Sequence, residues 1–400
     1  MDDASERGTV GGFWNYYRRY TRTAVHAASA AALTGLGYLT TVHEGFAVLA
    51  VAAYVLPPVY LYATREESER APTDSSASPS VVENDVAEAT SAGDETAPDS
   101  GEERASEDPE LERDRWTTAT VPTDATLRAV TADGRPCVVG DGGVVLARGG
   151  DGWRTVVDDG PGAASNALRG ADATEDGRVW FAGDGGALGR LDADADRVTD
   201  HSAPEEMTST WNDVAVAGRA GREAVYLATG SGEIVRGRND DGDLSWAAPV
   251  KPGSGSSVAA VAFDSPERGV ACDTGGGVYE TTDGGREWER IGAADAALHD
   301  VAFAGETLYA VTDDGSALRY DGDRWTRRSV ADAPLLAVAG YDGSTELLAV
   351  GEDGVYRRAD DWERVDLPTF AAFRCVATSE GGTGVAAGDD GTVVERSQGS

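Results

Sequence analysis

Short apolar runs recur along the chain from residue 127 onward, each about four residues long and bounded by polar, Gly-rich turns. Seven of them open a repeat, at 127–130, 168–171, 211–214, 258–261, 298–301, 335–338 and 373–376. Runs this short, rich in Val, Leu and Ala and flanked by Gly and Asp, read as strands. Behind each come a second and a third strand joined by an acidic or Gly-rich turn, such as Gly140-Asp141-Gly142-Gly143, Gly183-Asp184-Gly185-Gly186 and Gly388-Asp389-Asp390-Gly391. Asp-Gly and Gly-Gly pairs supply the positive φ that tight hairpins need. A fourth strand is expected to open at Trp153, Trp246, Trp288, Trp325 and Trp362, and near Arg197 in the repeat without a Trp. Trp288, Trp325 and Trp362 follow one another at steps of 37 residues. Four strands in a period of about 40 residues form one propeller blade.

The seventh unit stops after its third strand, 392–396. Its missing fourth strand is matched by Asp114-Arg115-Trp116-Thr117, which parallels Asp151-Gly152-Trp153-Arg154. The pattern therefore predicts an all-β, seven-bladed propeller over 114–400. The strand at Trp116 completes the last blade and leaves no free sheet edge.

Upstream the pattern changes. Residues 1–22 end in aromatic and basic residues, Phe13, Trp14, Tyr16, Tyr17, Arg18, Arg19, Tyr20 and Arg22, the composition of a membrane–water interface. Two apolar stretches follow, about 24–42 and 45–63, joined by His43-Glu44. The second is long enough to cross the hydrocarbon layer of about 30 Å. Together, over 23–64, they predict a transmembrane helical hairpin. Arginine lies before the first span and after the second, with none in the connection, so the positive-inside rule places both termini in the cytoplasm. Residues 65–113 show no apolar periodicity. Between 66 and 115 there are 17 Asp and Glu against four Arg. Such a stretch cannot bury enough surface to offset its chain entropy and predicts a disordered acidic linker.

Composition adds two constraints. The formal charge is −36, from 70 acidic and 34 basic residues, and Lys251 is the single lysine. That balance suits a salt-rich solvent and argues against nucleic acid, which needs a basic footprint. The three cysteines, Cys137, Cys272 and Cys375, are widely spaced and lack any CxxC. They offer neither a disulfide framework nor a zinc site and read as small buried hydrophobes.

One turn is more specific: Thr281-Thr282-Asp283-Gly284-Gly285-Arg286-Glu287-Trp288. Its Thr281-x-Asp283-x-Gly285-x-x-Trp288 pattern, with the recurring Gly-Asp-x-Gly turns, resembles the BNR/Asp-box propellers. Among these it is similar to the Ycf48/Hcf136-like photosystem assembly factors and to sialidase-like propellers. The resemblance spans about 114–400, and the acidic, Lys-poor chain looks like a haloarchaeal membrane protein. It implies that Thr281, Asp283, Gly285 and Trp288 are fold markers, remote from any active site. Sialidase chemistry, as the resemblance implies it, needs three arginines on a carboxylate, a Tyr–Glu pair and an acidic Asp. No Tyr–Glu pair stands at matching blade positions, so no catalytic residue is assigned and the chain is read as a non-enzyme. The four histidines are scattered, the Asp-Gly repeats read as hairpin turns rather than calcium loops, and no phosphate-binding glycine motif occurs. No metal or cofactor is expected.

The second residues of the seven opening strands are Arg128, Arg169, Asn212, Ala259, His299, Leu336 and Arg374. Aligned, they lie at one level of the ring, with Arg374, Arg128 and Arg169 on the consecutive blades seven, one and two. Two readings stand side by side. The arginines, with Asn212 and His299, form a partner-binding patch, as the assembly-factor resemblance implies; or each pairs with a nearby carboxylate. The expectation is a membrane-anchored propeller acting as an interaction or assembly scaffold at the cytoplasmic membrane face. Its partners are the lipid bilayer and another membrane-associated protein. The alternative is a glycan- or small-ligand-binding propeller on the outer face.

Overall fold

The computed structural model describes residues 115–396 apart from 194, 341–345 and 380–381. The N-terminal segment, the two expected spans and the linker over 65–113 lie outside the described residues. Among the described residues no helix is long and apolar enough to cross a membrane.

The described chain is all-β, with 28 strands in seven four-stranded antiparallel sheets. Strand β1 is Trp116–Ala119. Blade 1 is β2 (Leu127–Thr131), β3 (Cys137–Gly140), β4 (Val145–Gly149) and β5 (Gly152–Val157). Blade 2 is β6 (Leu168–Ala173), β7 (Arg178–Gly183), β8 (Leu188–Asp192) and β9 (Arg197–Asp200). Blade 3 is β10 (Trp211–Ala217), β11 (Ala224–Thr229), β12 (Ile234–Asp240) and β13 (Asp243–Trp246). Blade 4 is β14 (Val258–Phe263), β15 (Gly269–Asp273), β16 (Gly277–Thr281) and β17 (Glu289–Ala293). Blade 5 is β18 (Leu298–Ala304), β19 (Thr307–Thr312), β20 (Ser316–Tyr320) and β21 (Trp325–Ser329). Blade 6 is β22 (Leu335–Ala339), β23 (Leu347–Gly351), β24 (Gly354–Arg358) and β25 (Trp362–Arg364). Blade 7 combines β26 (Phe373–Thr378), β27 (Gly384–Gly388) and β28 (Val393–Arg396) with β1, in the order β1-β28-β27-β26.

The predicted closure is therefore present. Trp116 pairs with Arg396 and Ala119 with Val393, antiparallel, so the ring has no gap at its seam. All seven inner strands begin where the apolar pattern placed them. Two outer strands do not. Trp246 ends β13 rather than opening it, and Trp288 lies in the turn just before β17.

The apolar residues are distributed as seven clusters, one between each pair of neighbouring blades. Leu127, Val130 and Leu146 of blade 1 pack against Cys375, Val385 and Val393 of blade 7, and the same scheme repeats around the ring. The second strands supply most of this wedge. The β3, β15, β23 and β27 strands are buried at every residue, so they read as continuous apolar runs rather than alternating ones. The tryptophans of the outer strands reach back to the preceding blade. Trp325 donates its Nε1–H to the Ile291 carbonyl of blade 4 at 3.0 Å, and Trp153 donates to Glu395 of blade 7 at 2.9 Å. The three cysteines are buried in these clusters as free thiols, and burial pushes Cys137 and Cys375 up to about 12.

Candidate functional site

Every inner strand carries a register shift at its second residue, where one extra residue is accommodated. A bulge of this kind re-aims a side chain. Here it turns seven side chains toward the axis of the ring. Arg128, Arg169, Asn212, Ala259, His299, Leu336 and Arg374 all line one central cavity of about 380 Å3. The alignment read from the sequence is the one the fold adopts.

The arginines are gathered but not bare. Arg128 holds Asp141 through Nε (2.5 Å) and Nη2 (3.0 Å). Arg169 holds Asp184 at 2.6 and 3.2 Å, and Arg374 holds Asp389 at 2.6 and 3.1 Å. Each is a two-pronged fork on one carboxylate, the geometry a guanidinium fits best. The paired reading thus describes these side chains, and the mouth is an alternation of charges rather than a basic patch. The Asp184 carboxyl is held below its usual range, first by the hydrogen bond from Arg169. Arg169 and Arg374 are held more firmly cationic by the same bonds.

The aspartates arrive there because of glycine. Gly140, Gly183 and Gly388 end their strands against the carbonyl of the residue that precedes the inner strand. A Cβ on Gly388 would lie 2.0 Å from the Ala372 oxygen. That close approach lets the Asp389 N–H donate to the same carbonyl at 3.1 Å, and Asp184 and Asp141 do likewise at 2.9 Å. The turn then presents its carboxylate to the bulged arginine of its own blade. Thr126 of blade 1 also donates to Asp389, and Thr210 of blade 3 to Asp184, so the pairs tie adjacent blades together. Asn212 does the same without charge, donating to Ser257 Oγ (2.9 Å) and the Val258 carbonyl (2.8 Å). His299 is half-buried, and that burial pushes its imidazole below the ordinary value.

Deeper in the channel lie three carboxylates the sequence reading did not single out. Asp213 accepts from its neighbour Val214 N–H (2.8 Å) and from Val261 N–H of the next blade (2.9 Å). Asp300 bridges Val301 and Val338, and Asp172 bridges Ala173 and Val216, in the same way. They satisfy amides on the unpaired inner edges of the blades. Their remaining surface opens into the narrow channel rather than bulk water. Burial pushes Asp172 up to about 6, Asp300 to about 7, and Asp213 well above its ordinary value.

This has a pH consequence with a definite sign. Groups whose folded pKa is raised stabilise the fold fully below the unfolded value, near 4, and lose that contribution as pH rises through 6 to 7. His201 and His299, both pushed below the ordinary histidine value by burial, act oppositely over the lower part of that window. The measurement is therefore a difference. Between pH 5 and 8, the unfolding free energy of the native chain should fall relative to that of Asp300→Ala as pH rises. Parallel pH profiles from urea titrations would disprove it.

The turn at Thr281 lies on the other face of the ring, between the third and fourth strands of blade 4. Its side chains are consumed locally. The Thr281 hydroxyl donates to Asp283 (2.9 Å) and accepts from Gly285 N–H (2.9 Å), while Asp283 accepts from the Arg286 (2.9 Å) and Glu287 (3.0 Å) amides. Trp288 packs edge-on to Phe263 and joins the cluster between blades 3 and 4. Among the described residues no group of three or more His, Cys, Asp or Glu is placed to hold a metal ion.

No family model matches the chain, and no curated protein is significantly similar to it in sequence. Many solved structures share its fold. One is YCF48 bound to D1 peptide, with a TM-score of 0.56 and 16% identity, covering 71% of this chain and 95% of that one. YCF48 from Cyanidioschyzon merolae gives 0.56 and 15%, covering 70% and 98%. Streptogramin B lyase gives 0.57 and 13%, covering 70% and 96%. The chain shares the fold of these propellers, and identities this low carry the likeness no further.

The pairing was present in the sequence as a covariation inside one chain. Only the three repeats with Arg at the second position carry Gly-Asp-x-Gly in the following turn.

Proposed function

We propose that this chain is a membrane-anchored propeller that works as a protein-interaction or assembly module at the cytoplasmic membrane face. The docking surface is the face that carries the arginine–aspartate ring. The observation that carries this reading is the run of three forked pairs on consecutive blades around one channel mouth. Each guanidinium spends Nε and Nη2 on its aspartate, which fixes the plane of the group and directs Nη1 away from the pair. Fixed, half-exposed arginines bind at low entropic cost. YCF48 bound to D1 peptide is a propeller of this outline that holds a peptide. The first described strand supports the arrangement. Trp116 lies at the end of β1 remote from the Asp389 turn, so the described chain begins on the face opposite the ring of pairs. Two apolar spans of suitable length and the arginine bias around them support anchoring with the propeller in the cytoplasm, and the acidic composition fits a salt-rich cytoplasm.

The test separates recognition from stability. Arg374→Gln with Arg128→Gln should cut recovery of crosslinked partners from native membranes at high salt by about tenfold. The swapped pair, Arg374→Asp with Asp389→Arg, should restore the melting temperature toward native while leaving recovery low. Full recovery with the swapped pair would mean the ring only braces the fold. Protease accessibility of residues 65–113 in intact cells against inverted vesicles checks the orientation.

A further inference from the structure

The outer-strand tryptophans are not seated alike. In blade 4, β17 bulges at Ile291, and Trp325 of blade 5 lies against Gly292 and donates to the Ile291 carbonyl at 3.0 Å. A Cβ on Gly292 would come within 2.8 Å of the Trp325 Cε2. Blade 5 has no such bulge. Its β20–β21 register is regular, and Ala317 pairs with Arg328 where Val278 of blade 4 pairs with Gly292. Trp362 of blade 6 therefore has neither a glycine to lie on nor a bulged carbonyl to bond. Its backbone amide donates to Asp361, its indole N–H has no acceptor among the described residues, and a pocket of about 300 Å3 remains between the two blades. Tyr309, Arg319 and Thr326 form one cross-strand row, and Arg328 lies two residues along on the same face. Tyr309 and Ala317 turn that face toward blade 6. The cross-strand pair Arg358 and Trp362 closes the pocket from blade 6, with Arg358 over the Tyr309 ring at 5.8 Å.

The polar groups on these walls are mostly donors with surface left to use. Arg328 is exposed, and Arg319 and Arg358 are half-buried. Arg328 and Arg358 hold no carboxylate among the described residues, and Arg319 meets Asp321 only at 3.9 Å. The Thr326 hydroxyl and the Trp362 indole N–H add two uncharged donors. Two carboxylates also line the pocket, Asp360 and Asp361, both exposed in the β24–β25 turn. Asp361 already accepts the Trp362 amide at 3.0 Å. Three guanidinium groups against two water-facing carboxylates leave this pocket cationic on a chain that carries −36. We propose that it binds a small organic oxyanion, a carboxylate or phosphate carried on an apolar ring. Arg328 and Arg358 take the oxyanion, which planar guanidinium groups fit well. The Trp362 N–H adds a donor, and the Tyr309 and Trp362 rings give apolar contact. The volume is at the small end for ligand sites and limits the body to one or two fused rings. None of Arg128, Arg169 and Arg374 lines this pocket, so the inference goes beyond the docking-face reading and stands apart from it.

The probes are naphthoate, naphthyl phosphate and the cationic naphthylmethylammonium, titrated calorimetrically into the full chain at one sodium chloride concentration. At least one of the two anions should bind, the tighter one identifying the anionic group, and the cation should not. Arg328→Ala and Arg358→Ala should each weaken that anion at least about tenfold, the loss of a charge-assisted hydrogen bond. Trp362→Phe keeps a ring, removes the N–H and should weaken it about threefold. Arg324→Ala, an equal loss of charge in the β20–β21 turn but outside the pocket, should change it less than about twofold. Asp360→Asn should leave the affinity unchanged or raise it. Melting temperatures confirm that each variant is folded. Failure of both anions to bind at millimolar concentration would overturn the proposal. So would a cation that binds as tightly, or an affinity that falls with Asp360→Asn, since either gives the pocket to a cationic ligand. Equal weakening by Arg324→Ala and Arg328→Ala would show diffuse attraction and no site. Inorganic phosphate that binds as tightly as naphthyl phosphate would leave the aromatic walls without a role and overturn the ring-bearing ligand.

Discussion

Trp116→Ala is expected to lower the unfolding free energy by about 3–5 kcal/mol. Trp116 is 4% exposed and packs among Leu348, Val350, Ala386 and Val394, joining blade 6 to blade 7. Arg396 lies over its ring at 5.7 Å and reaches Glu346 of blade 6. Removing the indole empties a site walled by strands that cannot collapse inward without breaking register. It also frees the one strand that holds the two ends of the described chain together. The melting temperature and the urea midpoint should both drop. Removing residues 1–119 altogether should do more, exposing the β28 edge and promoting association. A chain lacking β1 that remained monomeric and equally stable would show that closure is dispensable.

The second large effect is expected at Gly388. A Cβ there would meet the Ala372 carbonyl oxygen at 2.0 Å and the Phe373 Cα at 2.8 Å, both backbone atoms that cannot swing aside. Gly388→Ala should cost about 3 kcal/mol, the upper end for overpacking. The added methyl displaces the amide that fixes Asp389 as well, so the fork to Arg374 is lost with it. Gly142 provides the control. It has a φ of +73° but nothing within 4 Å of an added Cβ, so Gly142→Ala should cost only about 1 kcal/mol of backbone strain. Equal costs at the two positions, measured by urea unfolding, would show that the close approach does not matter.

Much of the ring was legible because its repeat is punctuated twice, by an apolar opening and by a Gly-rich turn. The seven inner strands begin at Leu127, Leu168, Trp211, Val258, Leu298, Leu335 and Phe373, as the pattern indicates. Trp246 misled because its reversal, Asp241-Gly242, comes earlier than in the other repeats, so the strand runs up to the Trp instead of away from it. The level of Arg128, Arg169 and Arg374 was readable; the bulge that aims them was not, since it leaves no mark on composition. Asp172, Asp213 and Asp300 were hidden for another reason. Among 70 acidic residues no single one stands out, and what distinguishes these is the unpaired amide of the next blade.

The seam between β1 and β28 also bears on how the chain is made. The ring face around Arg374, Asp389 and Thr126 is assembled from segments more than 240 residues apart in sequence. On a ribosome, those groups cannot meet until the turn at Asp389 has emerged. A chain cut short before β26 lacks Arg374 and Asp389, and with them one of the three forked pairs of the ring.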